Sequence, residues 1–324
     1  MLPVKMTMAF SIILWGGLIL TSSLQSLSSI SSSPNQDCKE CHLSIPQLTG
    51  EKCQVCHFSP NLADPLDIPP MPGRQIMPVA NKTAPSPFLD MVLIPAGPFI
   101  MGYDKRWPDE GPSHTVNLAD FYIDKYEVTN IQYEEFVKTT KRMPPLYWRN
   151  GQYPPEKAMH PVVMVNWYAS KEYCQWAGKR LPTEEEWEKA ARGTDGRIFP
   201  WGNTFDMNKS NNPQRWKALG LPGDTMPVGS FSHGKSPYGL YDMAGNVWEW
   251  TESWYLPHPG NTHITENFGH KYKVAKGGSW KDCSFYRCGL SGPTFNRGFF
   301  DPNTMTRSFG FRCARDVAAG HQKK

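Results

Sequence analysis

The chain has 324 residues, 20% charged and 39% apolar, with a formal net charge of +4. That composition supports a sizeable buried core, with room for one large domain and a small second one. So small a charge, with no Lys/Arg run, excludes a polyelectrolyte partner such as nucleic acid, because counterion release would have little to act on.

Residues 1–33 open with Lys5, run through an apolar stretch from Met8 to Leu20 and then turn Ser-rich, which is the layout of a secretory signal. The apolar run is short for a membrane span. No A-x-A cleavage site is visible, so an uncleaved membrane anchor stays open beside a removed peptide. Either places the chain in a periplasmic or other extracytoplasmic space.

Residues 34–60 carry Cys38-Lys-Glu-Cys41-His42 and Cys53-Gln-Val-Cys56-His57. These strings read as attachment sites for two c-type haems. Two thiols add across the vinyl groups of one porphyrin, and the histidine directly after the second thiol is placed to ligate the iron. A zinc ribbon is the competing reading, since eleven residues separate the two Cys-x-x-Cys pairs. A tetrathiolate site needs no histidine, however, and both pairs are followed by one. Two plain disulfides are the third reading.

From Asn61 to Pro87 the chain is Pro-rich, and residues 61–87 read as an extended linker. Met71 and Met77 within it are candidate distal haem ligands, with His114, His160, His233, His258, His263 and His270 as alternatives.

Residues 88–318 read as the large domain and 319–324 as a tail. Met91–Ile94, Pro98–Gly102 and Phe121–Tyr126 predict short strands. Thr129 predicts the N-cap of a first helix through Val137, with Tyr133, Phe136 and Val137 on one face. A second helix runs from Trp167 to Ala177 and stops at Gly178. Thr183 and Glu186 form a capping box that opens a third, ending at Arg192 before Gly193. Beyond residue 194 Gly, Pro, Asn and Trp predict mostly loop and short strand, giving an α+β plan. Trp187, Trp201, Trp248, Trp250, Trp254 and Trp280 are candidates for a tryptophan-knitted core. Outside the Cys-x-x-Cys-His strings, Cys174, Cys283, Cys288 and Cys313 allow two disulfides, or one disulfide and a working thiol pair.

Several strings occur in a fixed order: Met91-Val-Leu-Ile-Pro-Ala-Gly-Pro-Phe-Ile-Met-Gly102, Tyr126-Glu-Val-Thr-Asn130, Ala177-Gly-Lys-Arg-Leu-Pro-Thr-Glu-Glu-Glu-Trp187, Tyr238-Gly-Leu-Tyr-Asp-Met-Ala-Gly-Asn-Val-Trp-Glu-Trp250, Gly277-Gly-Ser-Trp280 and Gly310-Phe-Arg-Cys313. Together they resemble the formylglycine-generating enzyme, or sulfatase-modifying factor, family, whose fold is a decorated variant of the C-type lectin fold. The resemblance implies a Cys174–Cys313 disulfide. It implies a calcium site at Asp242, Gly245, Val247 and Glu249, where alternating oxygens suit a hard cation. A looser match suggests a second calcium site at Asn211, Asn212 and Asp224.

Active members of the family oxidise a substrate cysteine with a copper(I)-binding thiol pair shortly after Gly-Gly-Ser. Cys283 and Cys288 show the same four-residue gap, and soft thiolates suit that ion. Two departures stand against the match. Cys283 lies four residues beyond Ser279 rather than three, and Arg287-Cys288-Gly289 also resembles a structural position of the family, whose partner half-cystine is replaced here by Ala191. A Cys283–Cys288 disulfide therefore remains open.

The leading expectation is a dihaem electron-transfer or accessory subunit docking to a redox partner protein or a larger respiratory complex. The alternative is a formylglycine-generating oxidoreductase working through Cys283 and Cys288. A ligand-binding module bearing a zinc ribbon is the third.

Overall fold

The computed structural model describes residues 90–281 and 292–317. The N-terminal segment, both Cys-x-x-Cys-His strings, Met71, Met77, Cys283, Cys288 and the tail lie outside those residues.

Three sheets are present among the described residues. In the first, β1 (Met91–Ile94), β4 (Phe121–Asp124) and β9 (Ala314–Asp316) are antiparallel with β4 in the centre, so the two ends of the domain share one sheet. β2 (Gly97–Met101) and β3 (His114–Leu118) form an antiparallel pair. The third sheet has the order β7 (Gly298–Phe300), β6 (Lys273–Lys276), β5 (Trp248–Trp254), β8 (Phe309–Gly310), with β5 and β8 parallel. The mixed helix-and-sheet class expected from the sequence is therefore present.

The three predicted helices form where their caps lie. α1 (Asn130–Thr140) opens with the Thr129 amide donating to Gln132 Oε1 at 2.9 Å. α2 (Trp167–Trp176) opens with Asn166 Oδ1 accepting from the Ala169 amide at 2.9 Å. In α3 (Glu184–Arg192) the Thr183 amide donates to Glu186 Oε2 at 2.8 Å and Thr183 Oγ1 accepts from the Glu186 amide at 3.2 Å. Each cap satisfies donors that the first helical turn would otherwise leave unpaired. A fourth helix, α4 (Pro213–Leu219), falls where loop was expected.

The main core joins α1, α2 and the β5 sheet. Tyr133, Phe136 and Tyr173 pack with Trp248, Trp250, Phe309 and Phe311, and the Tyr133 and Tyr173 rings stack at 5.4 Å. Burying each such aromatic contributes about 1.5–3 kcal/mol. Cys174 on α2 is bonded to Cys313 just before β9, with Cα atoms 5.7 Å apart, as the resemblance implied. A second cluster packs Trp187, Ala190 and Ala191 of α3 on Ile94, Phe121, Ile123, Leu240 and Met243. Of the expected core tryptophans, Trp187, Trp248, Trp250 and Trp280 are buried, while Trp201 and Trp254 are only half-buried. Trp254 ends β5 and faces the ammonium of Lys273 at 3.7 Å, and Trp201 stacks on Phe199.

Candidate functional site

The turn between Asp242 and Val247 lies at the junction of the two cores. Asp242 (φ 59°), Gly245 (φ 84°) and Asn246 (φ 60°) are all left-handed, which curls the segment tightly. Gly245 is required there, since a Cβ would lie 2.2 Å from the Asn211 carbonyl oxygen.

Three carboxylates and one guanidinium are buried around this turn: Glu127, Asp242, Glu249 and Arg312. Arg312 donates to both oxygens of Glu249, Nε to Oε2 at 2.6 Å and Nη2 to Oε1 at 2.7 Å, and to the carbonyls of Asp124, Lys125 and Tyr241. Trp187 Nε1 donates to Glu249 Oε2 at 2.7 Å. Glu249 is thus fully engaged by the protein. Asp242 Oδ2 accepts from the Gly229 amide at 2.7 Å, and burial lifts its carboxyl to about 6. Glu127 Oε2 accepts from Asn246 Nδ2 at 3.1 Å, but its Oε1 has no hydrogen-bond partner. Burial, with Asp242 and Glu249 nearby, pushes the Glu127 carboxyl well above the usual range.

Three buried carboxyl groups against one guanidinium offer oxygen donors of the type a hard cation takes, while burial favours their neutral forms. Of the expected set, Asp242 and Glu249 both lie in this cluster. Glu249 is held by Arg312, and Glu127 does not stand out in the sequence. Among the described residues, no group of three or more His, Cys, Asp or Glu side chains is gathered as a metal cage.

At Asn211, Asn212 and Asp224 the side-chain oxygens serve the fold. Asn211 Oδ1 accepts from Trp216 Nε1 at 2.6 Å, Asn212 Oδ1 caps α4 through the Arg215 amide at 3.0 Å, and Asp224 pairs with Lys157 and accepts from the Thr225 amide at 2.7 Å.

The segment that carries Cys283 and Cys288 begins after Lys281 and ends before Gly292, and both flanks reach the same turn. The Gly245 amide donates to the Gly277 carbonyl at 2.8 Å and the Trp280 amide to the Asn246 carbonyl at 3.0 Å. On the other side, a Cβ on Gly292 would lie 3.4 Å from the Ala244 Cβ. Trp280 Nε1 donates to the Arg307 carbonyl at 3.2 Å. Arg307 in turn borders a small cleft with Tyr147, Lys157, Pro161, Val163 and Thr225. His160, behind this cleft, has Nδ1 2.9 Å from Thr225 Oγ1.

A second ionic network, not foreseen from the sequence, lies on the other side of Trp187. Glu188 accepts from the Gly102 amide at 2.8 Å, Arg192 Nη1 at 2.8 Å and Lys276 Nζ at 2.9 Å. Arg297 is bidentate on Glu184 at 2.7 and 2.9 Å. Desolvation would lift the Glu184 carboxyl, but Arg297 and Lys276 outweigh it and hold the group at about 2. His258 is buried beside this network, and desolvation with Arg297 lowers its imidazole to about 4.

The sulfatase-modifying factor enzyme 1-like domain family matches residues 77–317. The chain is 34% identical over 288 residues to an "Inactive C-alpha-formylglycine-generating enzyme 2" of Mus musculus, with 72% of this chain and 87% of that protein covered. It is 33% identical over 292 residues to a "Formylglycine-generating enzyme" of Bos taurus, covering 72% and 76%. Among solved structures, PvdO from Pseudomonas aeruginosa superimposes with a TM-score of 0.55 at 29% identity, over 70% of this chain and 94% of that one. These matches span nearly the whole domain in which the described sites lie, and the chain belongs to the sulfatase-modifying factor enzyme 1-like family.

Proposed function

We propose that this chain is an extracytoplasmic oxidoreductase of the formylglycine-generating type, in which Cys283 and Cys288 act on a cysteine of a protein substrate. The observation that carries this reading is the anchoring of the thiol-bearing segment. Its N-terminal flank is tied to the 242–246 turn through the Gly277 carbonyl and the Trp280 amide, and Gly292 on its other side lies against Ala244, near a small cleft bordered by Arg307 and Lys157. Copper(I) on the two thiolates would supply the soft redox centre. Turning the methylene thiol of a cysteine into an aldehyde with one molecule of dioxygen takes up two further electrons and two protons and releases hydrogen sulfide and water. Two c-type haems on Cys38, Cys41, His42 and on Cys53, Cys56, His57 are one-electron carriers that match this requirement.

The test is aerobic incubation of the exported, copper-loaded chain with a cysteine-containing peptide and a reductant, followed by hydrazide trapping of the aldehyde. Product from the parent chain but not from Cys283→Ser or Cys288→Ser supports the proposal. No aldehyde from the parent, or equal yields from all three, refutes it.

A second reading is favoured by the paired Cys-x-x-Cys-His strings themselves: a dihaem electron-transfer or accessory subunit, possessing Met71 and Met77 as candidate distal ligands, that docks to a larger redox complex. Intact mass and an optical spectrum of the exported protein test it. Two haem increments with electron transfer unaffected by Cys283→Ser support the subunit, whereas bound zinc without a haem spectrum ends both haem readings.

A further inference from the structure

We infer that the acidic Cys-x-x-Cys-His segment of this chain docks on the large domain at an open cavity beside Asp90, where Lys125 and Lys235 meet its carboxylates. The cavity holds about 400 Å³, and Asp90, Lys125, Lys235 and Tyr238 line it. Tyrosine rings hold both lysines at this wall. The Tyr126 and Tyr241 rings lie 5.0 Å apart, with Lys125 Nζ 5.4 and 5.8 Å from their centroids and Lys235 Nζ 4.7 Å from that of Tyr241. Among the described residues neither ammonium has an ion-pair partner. Nearby carboxylates are already taken, Asp124 by Lys179 at 2.6 Å and Asp195 by Arg197 at 2.7 Å. Asp90 offsets one of the two ammoniums, so the cavity keeps a positive charge. Like charges gathered over shared rings repel, and an anion seated against both removes that repulsion.

The chain itself carries the complement. Residues 34–67 contain Asp37, Glu40, Glu51, Asp64 and Asp67 against Lys39 and Lys52. Porphyrins on Cys38, Cys41 and on Cys53, Cys56 would add their propionates, a contribution that rests on the haem reading proposed above. Asp90, the first described residue, lies on the cavity, and 32 residues separate it from His57. A tether of that length spans at most about 110 Å and keeps its ends at an effective concentration on the order of millimolar. A contact too weak to join separate molecules therefore suffices, an advantage that neither a partner protein nor a second copy has. Seated there, the segment lies beside Tyr241, which directly precedes the turn that receives the flanks of the Cys283–Cys288 segment.

Carbodiimide joins an ammonium to a carboxylate only where the two already pair, so crosslinking of the exported full chain followed by peptide mass spectrometry tests the docking. The expected product joins Lys125 or Lys235 to Asp37, Glu40, Glu51, Asp64, Asp67 or a porphyrin propionate. Its yield is unchanged by about tenfold dilution of the protein and falls at least about threefold in about 1 M salt, where the Debye length is about 3 Å. Reversing both charges, in Lys125→Glu with Lys235→Glu, speeds amide exchange over residues 235–241 at least about threefold as the docked cover is lost, and Lys125→Arg with Lys235→Arg keeps the parent rate. Crosslinks from the acidic residues that avoid both lysines, products that grow with protein concentration, or exchange indifferent to charge reversal overturn the inference. Intact mass of the same sample keeps the two readings apart. Haem increments without the crosslink overturn the docking and leave the haem reading standing, whereas the crosslink without haem increments ends the haem reading and supports the docking.

Discussion

Replacing Arg312 by Met removes the cation on which three buried carboxylates converge, and the cost can be worked from its contacts. The guanidinium holds Glu249 through two hydrogen bonds and caps the carbonyls of Asp124 at 3.1 Å, Lys125 at 3.2 Å and Tyr241 at 2.8 Å. Breaking a buried ion pair from one side costs about 3–5 kcal/mol, because the remaining charge stays buried and uncompensated. The Lys125 carbonyl keeps the Tyr241 amide at 3.0 Å, whereas the loss of the guanidinium from the Asp124 and Tyr241 carbonyls adds about 1–3 kcal/mol each where water cannot reach them. Even the lower bounds together give about 5 kcal/mol, comparable with the roughly 5–15 kcal/mol by which a domain is stable at all. Arg312→Met is therefore expected to accumulate unfolded or as a protein melting at least about 10 °C lower. Urea titration followed by circular dichroism gives the loss directly. A loss below about 1 kcal/mol would show that water enters this site and that the pair is not closed as described.

The other predictions concern the crosslink, the second network and a helix cap. Cys174 and Cys313 close a loop of 139 residues, for which chain entropy gives about 5 kcal/mol; the double Ala variant should melt about 10–20 °C lower, and equal melts with and without reductant would contradict this. Unfolded His258 takes a proton near 6.5 but the folded residue only near 4. Stability is thus full above pH 6.5 and falls by about 3 kcal/mol as the pH drops toward 4, a limb that His258→Asn should flatten. Glu184 loses its contribution lower, as the pH falls from 4.5 through about 2, so Glu184→Gln should remove only the more acidic part of the urea-midpoint curve. Thr183→Ala should cost about 0.5–2 kcal/mol by uncapping α3, and a change below that range in the urea midpoint would mean that the cap is redundant.

What the sequence disclosed was mainly local. Thr129, Thr183 and the Gly after the second and third helices are read within one turn of chain, and all three predicted helices stand where those signals put them. α4 carries an equally local signal, Asn212 followed by Pro213. Reading Asn212 as a cation ligand hides that signal, whereas its side chain caps the helix. Residues that owe their role to distant partners were not legible. Glu249 meets Arg312 across 63 residues and Glu184 meets Arg297 across 113. Three glutamates opening α3 look like a solvated first turn, yet Glu184 and Glu186 are buried because Arg297 and Arg180 reach them from elsewhere. Glu127 lies in the Tyr126-Glu-Val-Thr-Asn130 string that carries the resemblance, yet its burial beside Asp242 and Glu249 depends on residues more than a hundred positions away.

Trp187 separates the two ionic networks, touching Glu249 through its N–H and lying with its ring 5.8 Å from the ammonium of Lys276. Their charges differ in a way that packing cannot explain. On the Lys276 side, Glu184 and Glu188 meet Lys276, Arg192 and Arg297, and the excess cationic donors are taken up by carbonyls of Gly102, Gly196, Asp109 and Leu256. Those charges are met by ionic or carbonyl partners and tie α3 to β6, although neither ring nitrogen of the buried His258 beside them has a hydrogen-bond partner. On the Arg312 side the carboxylates outnumber the cations, and one oxygen is left without a donor. A buried site maintained only for stability would gain from exchanging such an acid for an amide or an apolar residue of similar size.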